Sequence, residues 1–508
     1  MKKTLLLFTI LFQLNGFSQA PDIQWQKSLG GTSFDLAKSI QQTTDGGYIV
    51  AGICEYTDSG GHSFGNYYRI VKLSNTRTIE WEKYIGNSAN RFSPFNIQQT
   101  TDGGYILASH SCPTNYTIDS FNFDYWILKL SSTGQVEWEK SLGGTNLDIA
   151  NSIQQTTDGG YIVAGESASH DGGVIVGYGW VDCWIVKLSS TGTIQWQKKI
   201  GGSGYDRACS IQLTTDGGYI VAGETKFADG YLSGYHGDSD YYIVKLSSTG
   251  TIQWQKSLGG AGYDVASSIQ QTTDGGYIVA GETQSVDGDV TGNHGGSDYW
   301  IVKLNGIGTI QWQKSIGGAG YDEASSIQQT TDGGYIVAGE TQSVDGDVSG
   351  NHGGADYWIV KLNGIGTIQW QKSVGGSGYD AASSIQQTAD GGYIIAGATG
   401  FNDGDVTTGI HGSSDYWIVK LAADPLATTT FNQKGFTIAP NPVKSVLNFQ
   451  FPNETAIDRV IINDLTGKTV LQQTQNANYI NVQSLAKGIY ILQAFSGNET
   501  YQSKFVKE

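Results

Sequence analysis

The chain has 508 residues, among them 71 Gly, 7 Pro, 1 Met, 28 Tyr and 13 Trp, and a formal charge of −17. Gly stands at about twice its usual share without a three-residue period, which excludes collagen. A hydrophobic fraction of 38 % excludes wholesale disorder. The negative charge argues against nucleic acid or an anionic membrane surface as partner. Tyr, Trp, Ile, Val, Thr and Gly prevail over Met, Leu and Arg, so the expected class is all-β with many turns.

Residues 1–18 read as a secretory signal peptide. Met1-Lys2-Lys3 is basic, and the apolar run over 4–12 is too short to span a membrane. Cleavage after Ser18 is favoured over Ala20, because Pro21 would stand just past the second cut with its φ fixed. No Cys stands at the junction, which argues against a lipid anchor, and no later run reaches about 18 apolar residues.

From 19 to 423 one unit recurs. The motif Gln/Glu-Trp-Gln/Glu-Lys places Trp at 25, 81, 138, 196, 254, 312 and 370, a spacing that settles at 58. Asp-Gly-Gly-Tyr recurs with Tyr at 48, 105, 161, 219, 277, 335 and 393, and Asp-Tyr-Trp-Ile-Val-Lys-Leu or a variant ends at Leu73, Leu130, Leu188, Leu246, Leu304, Leu362 and Leu421. Each unit reads as four short strands; in the fifth these are a (267–272), b (277–282), c (298–304) and d (309–314). Asp274-Gly275-Gly276 and 305–308 are tight-turn signals. Strands b and c are apolar on both faces, as a sheet between two other sheets requires. Strand a is polar, fitting the wall of a wet channel, and strand d is amphipathic like an outer edge. Radially arranged four-stranded units make a β-propeller. The chain enters with a lone strand d (23–27) and leaves after a lone a-b-c set (384–421), so the two pieces complete one of seven blades. An open solenoid would want polar capping repeats instead.

The segment 185–196, Ile-Val-Lys-Leu-Ser-Ser-Thr-Gly-Thr-Ile-Gln-Trp, resembles the repeat of quinoprotein-type propellers, in which a Trp docks blade on blade. The whole repeat is similar to those of secreted Bacteroidetes propellers. Both resemblances imply the fold and not an activity.

After Leu421 the repeat stops; 424–434 reads as a linker and 435–508 as a second domain. Its landmarks are Pro440-Asn441-Pro442, then Gly467-Lys468 closing a strand-like run, then Gly488-Ile-Tyr490. In this order they resemble the type A C-terminal sorting domain of the Bacteroidetes type IX secretion system. The resemblance implies a small Ig-like β-sandwich, the type IX machinery as partner, and passage through the periplasm to the outer surface or into the medium. The tail is near neutral, with six Lys/Arg against five acids, so the acidity belongs to the propeller.

Function is expected on the face holding the long, variable b–c connections. All seven His (62, 110, 170, 236, 294, 352, 411) lie there, five of them four residues before an acid or amide: His62/Asn66, His236/Asp240, His294/Asp298, His352/Asp356 and His411/Asp415. Turn packing competes there with a metal-binding or pH-responsive role. The four Cys suggest pairs Cys54–Cys112 and Cys183–Cys209. Asp287, Asp289, Thr291, Asn293 and Asp298, with Gly292, stand at the spacing of an EF-hand-type loop, and Asp345, Asp347, Ser349, Asn351 and Asp356 repeat it. Hard oxygens at that spacing suit Ca²⁺, against which stands ordinary turn chemistry. Asp at position 12 is shorter than the usual Glu. Asp35, Asp148, Asp206, Asp264, Asp322 and Asp380 open strand a; capping a turn is favoured over a ring holding a cation.

Near-identical blades supply copies rather than the unlike groups a catalytic centre needs. The leading expectation is therefore a multivalent binding or adhesion propeller for a glycan or surface ligand. Second is an exported polysaccharide-active enzyme using the irregular residues Glu55, His62, Arg69, Arg91, His110, His170 and Trp180 of blades one to three. An inert surface protein is third.

Overall fold

A computed structural model describes residues 19–57, 63–85, 96–111, 122–226, 234–424, 437–450, 457–464, 468–474, 479–496 and 499–508. The chain divides into two compact units between Asp424 and Pro425. The boundary falls one residue later than expected: Asp424 accepts from Trp370 Nε1 at 2.9 Å and from the Tyr393 hydroxyl at 2.8 Å, which binds it to the last blade.

The first unit holds seven four-stranded antiparallel sheets. Blade five runs Asp264–Gln271, Tyr277–Thr283, Asp298–Leu304 and Ile310–Ile316, in the spatial order a-b-c-d. Strand a starts three residues before its expected beginning, because a bulge between Ala266 and Ser268 lets both halves pair with strand b. The Asp274-Gly275-Gly276 turn forms as its residues dictate. Gly275 takes φ +80° and donates to Thr272 O, while Asp274 Oδ1 accepts from the Thr272 hydroxyl and the Gly276 amide.

Strands b and c are buried at every position of blade five, and apolar clusters join neighbouring sheets. Ile278, Ala280 and Ile301 of blade five pack on Ile327, Val337 and Trp358 of blade six. Ile394, Ala396 and Ile418 of the seventh sheet pack on Ala37, Val50 and Val71 of the first. The Trp of strand d docks on the next blade: Trp254 meets Tyr277 edge-on at 5.7 Å, and Trp25 meets Tyr48 at 5.5 Å. The N-terminal strand Ile23–Leu29 is the outer strand of the seventh sheet, paired with Asp415–Leu421.

Two recurring bonds hold the polar parts. Lys303, buried in strand c, reaches the a–b turn at Asp274 (2.9 Å), Leu304 O (3.0 Å) and Gln311 (3.0 Å). Lys72, Lys129, Lys187, Lys245, Lys361 and Lys420 meet Asp45, Asp102, Asp158, Asp216, Asp332 and Asp390 in the same way. Strand a is polar because its side chains bind the neighbouring blade. Ser384, Ser39, Ser152, Ser210, Ser268 and Ser326, with Asn96, accept from the amides of Ile40, Ile97, Ile211, Ile269, Ile327, Ile385 and Ile153 respectively, passing from each sheet to the next and from the seventh to the first.

The second unit has two sheets. Thr437–Ala439, Val446–Gln450 and Tyr479–Asn481 form one; Thr469–Thr474, Arg459–Asn463, Gly488–Ser496 and Glu499–Lys507 form the other. They share a core of Leu447, Phe449, Val460, Ile462, Leu492 and Phe505, the layered build the resemblance implies. Pro440 and Pro442 both follow cis peptide bonds. Between them, Asn441 accepts from Val506 N (2.8 Å) and donates to Lys504 O (3.2 Å). Lys468 N donates to Asp464, the Tyr490 hydroxyl donates to Ala486 O, and Gly488 pairs with Lys507. Gly467 lies outside the described residues.

Candidate functional site

The b–c loops and d–a turns meet on one end of the propeller. In blade five, Asp287 accepts from Ala261 N of the preceding d–a turn at 2.7 Å, and Asp289 stands 3.4 Å from Gly259 N. Thr291 is bonded by Gln313, and Asn293 donates to Thr283 O and accepts from Gly295 N. Asp298 is buried at the head of strand c. Blade six repeats this arrangement: Asp345 accepts from Ala319 N, Ser349 is bonded by Gln371, Asn351 donates to Thr341 O, Asp356 is buried, and Asp347 N donates to Gly317 O. The side-chain oxygens of Asp287, Thr291, Asn293, Asp345, Ser349 and Asn351 thus reach to separate protein donors. Among the described residues no three His, Cys, Asp or Glu side chains converge as a metal site.

Position 12 belongs to another arrangement. His236, His294, His352 and His411 each set Nδ1 against Oδ2 of the Asp four residues on, at 3.1, 2.8, 2.7 and 2.7 Å. His62 lies outside the described residues. The strand-a Asp of the next blade comes to the same place: Asp298 Oδ1 and Asp322 Oδ2 lie 2.7 and 2.6 Å from where a Cβ on Gly317 would stand. Asp322 caps the turn as expected, accepting from Gly318 N and the Ser343 hydroxyl, while Asp298 Oδ1 has no partner among the described residues. Burial raises the pKa of both carboxyls, and each of these junctions brings two of them together.

Among the described residues Cys54, Cys183 and Cys209 are free thiols, and Cys183 and Cys209 are not joined to each other. Cys183 belongs to the apolar cluster between blades three and four, whereas Cys209 lines the channel. Cys112 and Arg91 lie outside the described residues. Burial pushes the Cys54 thiol up to about 12, which keeps it protonated. Of the irregular residues, Arg69 pairs with Glu82 at 2.9 Å and lies over the Tyr84 and Tyr416 rings. With Asp35, Cys54, Glu55 and Tyr84 it borders a cavity of about 540 Å³. His110 is buried against Phe123, while His170 is exposed.

A second cavity of about 540 Å³ opens at the channel end beneath the loop face, lined by Lys38, Asn151, Arg207, Cys209, Glu282 and Glu323 among others. The irregular residues of blades one to three did not point to it. Arg207 Nε lies 2.8 Å from Glu224, whose other oxygen is 3.1 Å from Lys226. Burial first, and then Glu323, raises Glu282 to about 7 against the opposing Ser297 hydroxyl. Burial also raises Glu323 and Glu340 and lowers Lys38. A sequence signal for this site existed, in the one position at which otherwise matching repeats differ in charge, Val265 against Glu323.

Residues 437–508 match the family of the secretion system C-terminal sorting domain. No curated protein matches the chain. The chain is similar to the WD40 domain of Neurospora crassa Pan2 at 10 % identity, over 81 % of this chain and 98 % of that one, with a TM-score of 0.43. It is also similar to PorZ, a surface component of the type IX secretion system of Porphyromonas gingivalis, at 10 % identity, over 96 % of this chain and 75 % of that one, with a TM-score of 0.26. The fold assignment itself rests on the strand pairing. The chain is an exported β-propeller protein with a type IX sorting domain, addressed to the cell surface or the medium. No helix among the described residues is long and apolar enough to cross a membrane.

Proposed function

We propose that the propeller is a multivalent binding or adhesion module that engages a glycan or surface ligand through its loop face. One observation carries the reading: large apolar side chains stand exposed on that face, two kinds of them at repeated places and two more, Trp180 and Phe401, at single ones. Val286 and Val344 are 77 and 76 % exposed, Tyr321 and Tyr379 42 and 53 %, and Trp180 and Phe401 85 and 54 %. A face of isolated aromatic platforms between Asp, Asn and Ser groups suits sugar rings, which offer an apolar side and a rim of hydroxyls. Repetition around the ring lets weak contacts act together.

A glycan array probed with the mature chain, in calcium and again in chelator, tests this. Binding is expected to fall at least about tenfold in Trp180→Ala and Phe401→Ala, where several sites share the load. Loss in chelator together with loss in Asp287→Asn and Asp345→Asn would assign calcium to the loops. Binding unchanged in chelator would leave the loops as protein-bonded turns. Absence of binding in both buffers overturns the reading.

A further inference from the structure

Structural demands are the same in every blade of a repeated fold, so a difference between copies that sits on a cavity wall is not demanded by the fold. Residues 259–316 and 317–374 differ at four positions: Val265/Glu323, Thr291/Ser349, Ser297/Ala355 and Ile316/Val374. One of the four changes charge, and both its residues line the cavity at the channel end. Deeper in the channel, Ser and Gln of strand a repeat round the ring, whereas at this level Lys38, Asn151, Arg207, Cys209 and Glu323 stand among the repeated Ser267, Ser325 and Ser383.

Lys38, Arg207, Glu282 and Glu323 line the cavity and balance in formal charge, but Glu166, Glu224 and Glu340 behind them outnumber Lys226, so the whole group holds five carboxyls against three cations. Arg207 and Lys226 are answered by Glu224 at 2.8 and 3.1 Å, and Glu166 is bonded by the Tyr205 hydroxyl. Blades five and six then present Glu282, Glu323 and Glu340. Glu282 is held by the Ser297 hydroxyl and Glu340 by the Tyr379 hydroxyl, while Glu323 makes no ion pair within 4 Å among the described residues. Lys38 is the ammonium beside Glu323 and Glu340, and it too makes no such pair; the Arg207 guanidinium also acts on Glu323 and Glu282. Across the cavity Asn151, 8 % exposed, is pinned through Nδ2 to Ala208 O at 2.8 Å, and its Oδ1 has no partner among the described residues. The cavity together with the groups behind it therefore carries a formal excess of negative charge and an unused acceptor, the complement of a donor-rich cation.

We propose that this cavity binds an organic ammonium ion, a primary amine, between Glu282 and Glu323, with Asn151 Oδ1 as a further acceptor. The inference is independent of the glycan reading, because it concerns one site per chain inside the channel. The amine could be borne by an amino sugar, a polyamine or a lysine side chain, and titration calorimetry on the mature chain separates these sources. Glucosamine, putrescine and Nα-acetyl-lysine amide are compared with N-acetylglucosamine and 1,4-butanediol. At least one amine is expected to bind with a stoichiometry of one, and the neutral compounds are not.

Glu323→Val installs the residue that blade five already accommodates, and is expected to weaken the amine about tenfold or more. Lys38→Ser, which installs the residue of 267, 325 and 383, removes the resident ammonium and is expected to tighten it. Thermal melts of both variants check that the fold is kept. The proposal is overturned if no amine binds at millimolar concentration, if the neutral analogues bind equally, if Glu323→Val binds as the parent does, or if Lys38→Ser fails to bind more tightly.

Discussion

Glu282 is 9 % exposed, and its carboxyl is raised from 4.5 to about 7, by burial above all and then by Glu323. Between those two values the folded chain holds a proton that the unfolded chain has released, so this residue's contribution to stability falls as pH rises through the interval and is level beyond it. Glu282→Gln keeps an acceptor for Ser297 and removes the titration. Urea unfolding at pH 8 is expected to show the variant more stable by up to about 3 kcal/mol, with the advantage gone near pH 4. An equal gain at both pH values would mean that the proton is not its source. None of this was legible beforehand. Glu282 stands in a run of identical Gly-Glu-Thr copies, and only the bulge in strand a brings those copies beside unlike partners. The His–Asp spacing, by contrast, was legible, because four residues of loop close on themselves in each of the four described copies.

At the scale of the element, the turn and strand c are one unit. The sequence showed Asp-Gly-Gly as a turn and Lys-Leu as a strand end, but not that Lys303 crosses to Asp274, a contact across 29 residues. Burial disfavours the Asp274 carboxylate, and bonds from Thr272, Lys303 and the Gly276 amide outweigh it, bringing its pKa from 3.8 to about 2. The sign is opposite to that of Glu282: the stabilisation is present above about pH 4 and is lost as pH falls towards 2. Because Asp274 is about half exposed, solvent screens the pair and each copy contributes little. Lys303→Met removes the buried ammonium together with its bonds to Leu304 O and Gln311. A loss of about 1–2 kcal/mol at pH 7 is expected, with Asp274 titrating closer to 3.8 by NMR. An unmoved Asp274 would assign the shift to the turn's own hydroxyl and amide.

At the scale of the molecule, seven copies of one spacing made the blade count legible, and the split of the last blade between the two ends of the chain named the strands that must meet. The sequence left out how the sheets are joined, since the Ser and Gln of strand a read equally well as a wetted wall and as ties between blades. The seventh sheet alone has its outer strand supplied from the far end of the chain. Ile23–Leu29 is held to Asp415–Leu421 by ladder bonds, by Gln26 to Trp417 Nε1 at 3.0 Å, and by Trp25 on Tyr48. Nothing covalent within the sheet replaces these contacts, whereas every other outer strand follows its neighbour through a short turn. Local opening should therefore begin there. Hydrogen exchange on residues 19–508 is expected to show the amides of Asp415–Leu421 less protected than those of Asp356–Leu362, the matching strand of blade six. Gln26→Ala, which removes the side-chain bonds to Trp417 Nε1 and Asp405 O, should widen the gap while leaving Asp356–Leu362 unchanged. Equal protection of the two strands in the parent would show that packing of the seventh sheet on the first, through Ile394, Ile418 and Val71, holds the ring without help from its N-terminal strand.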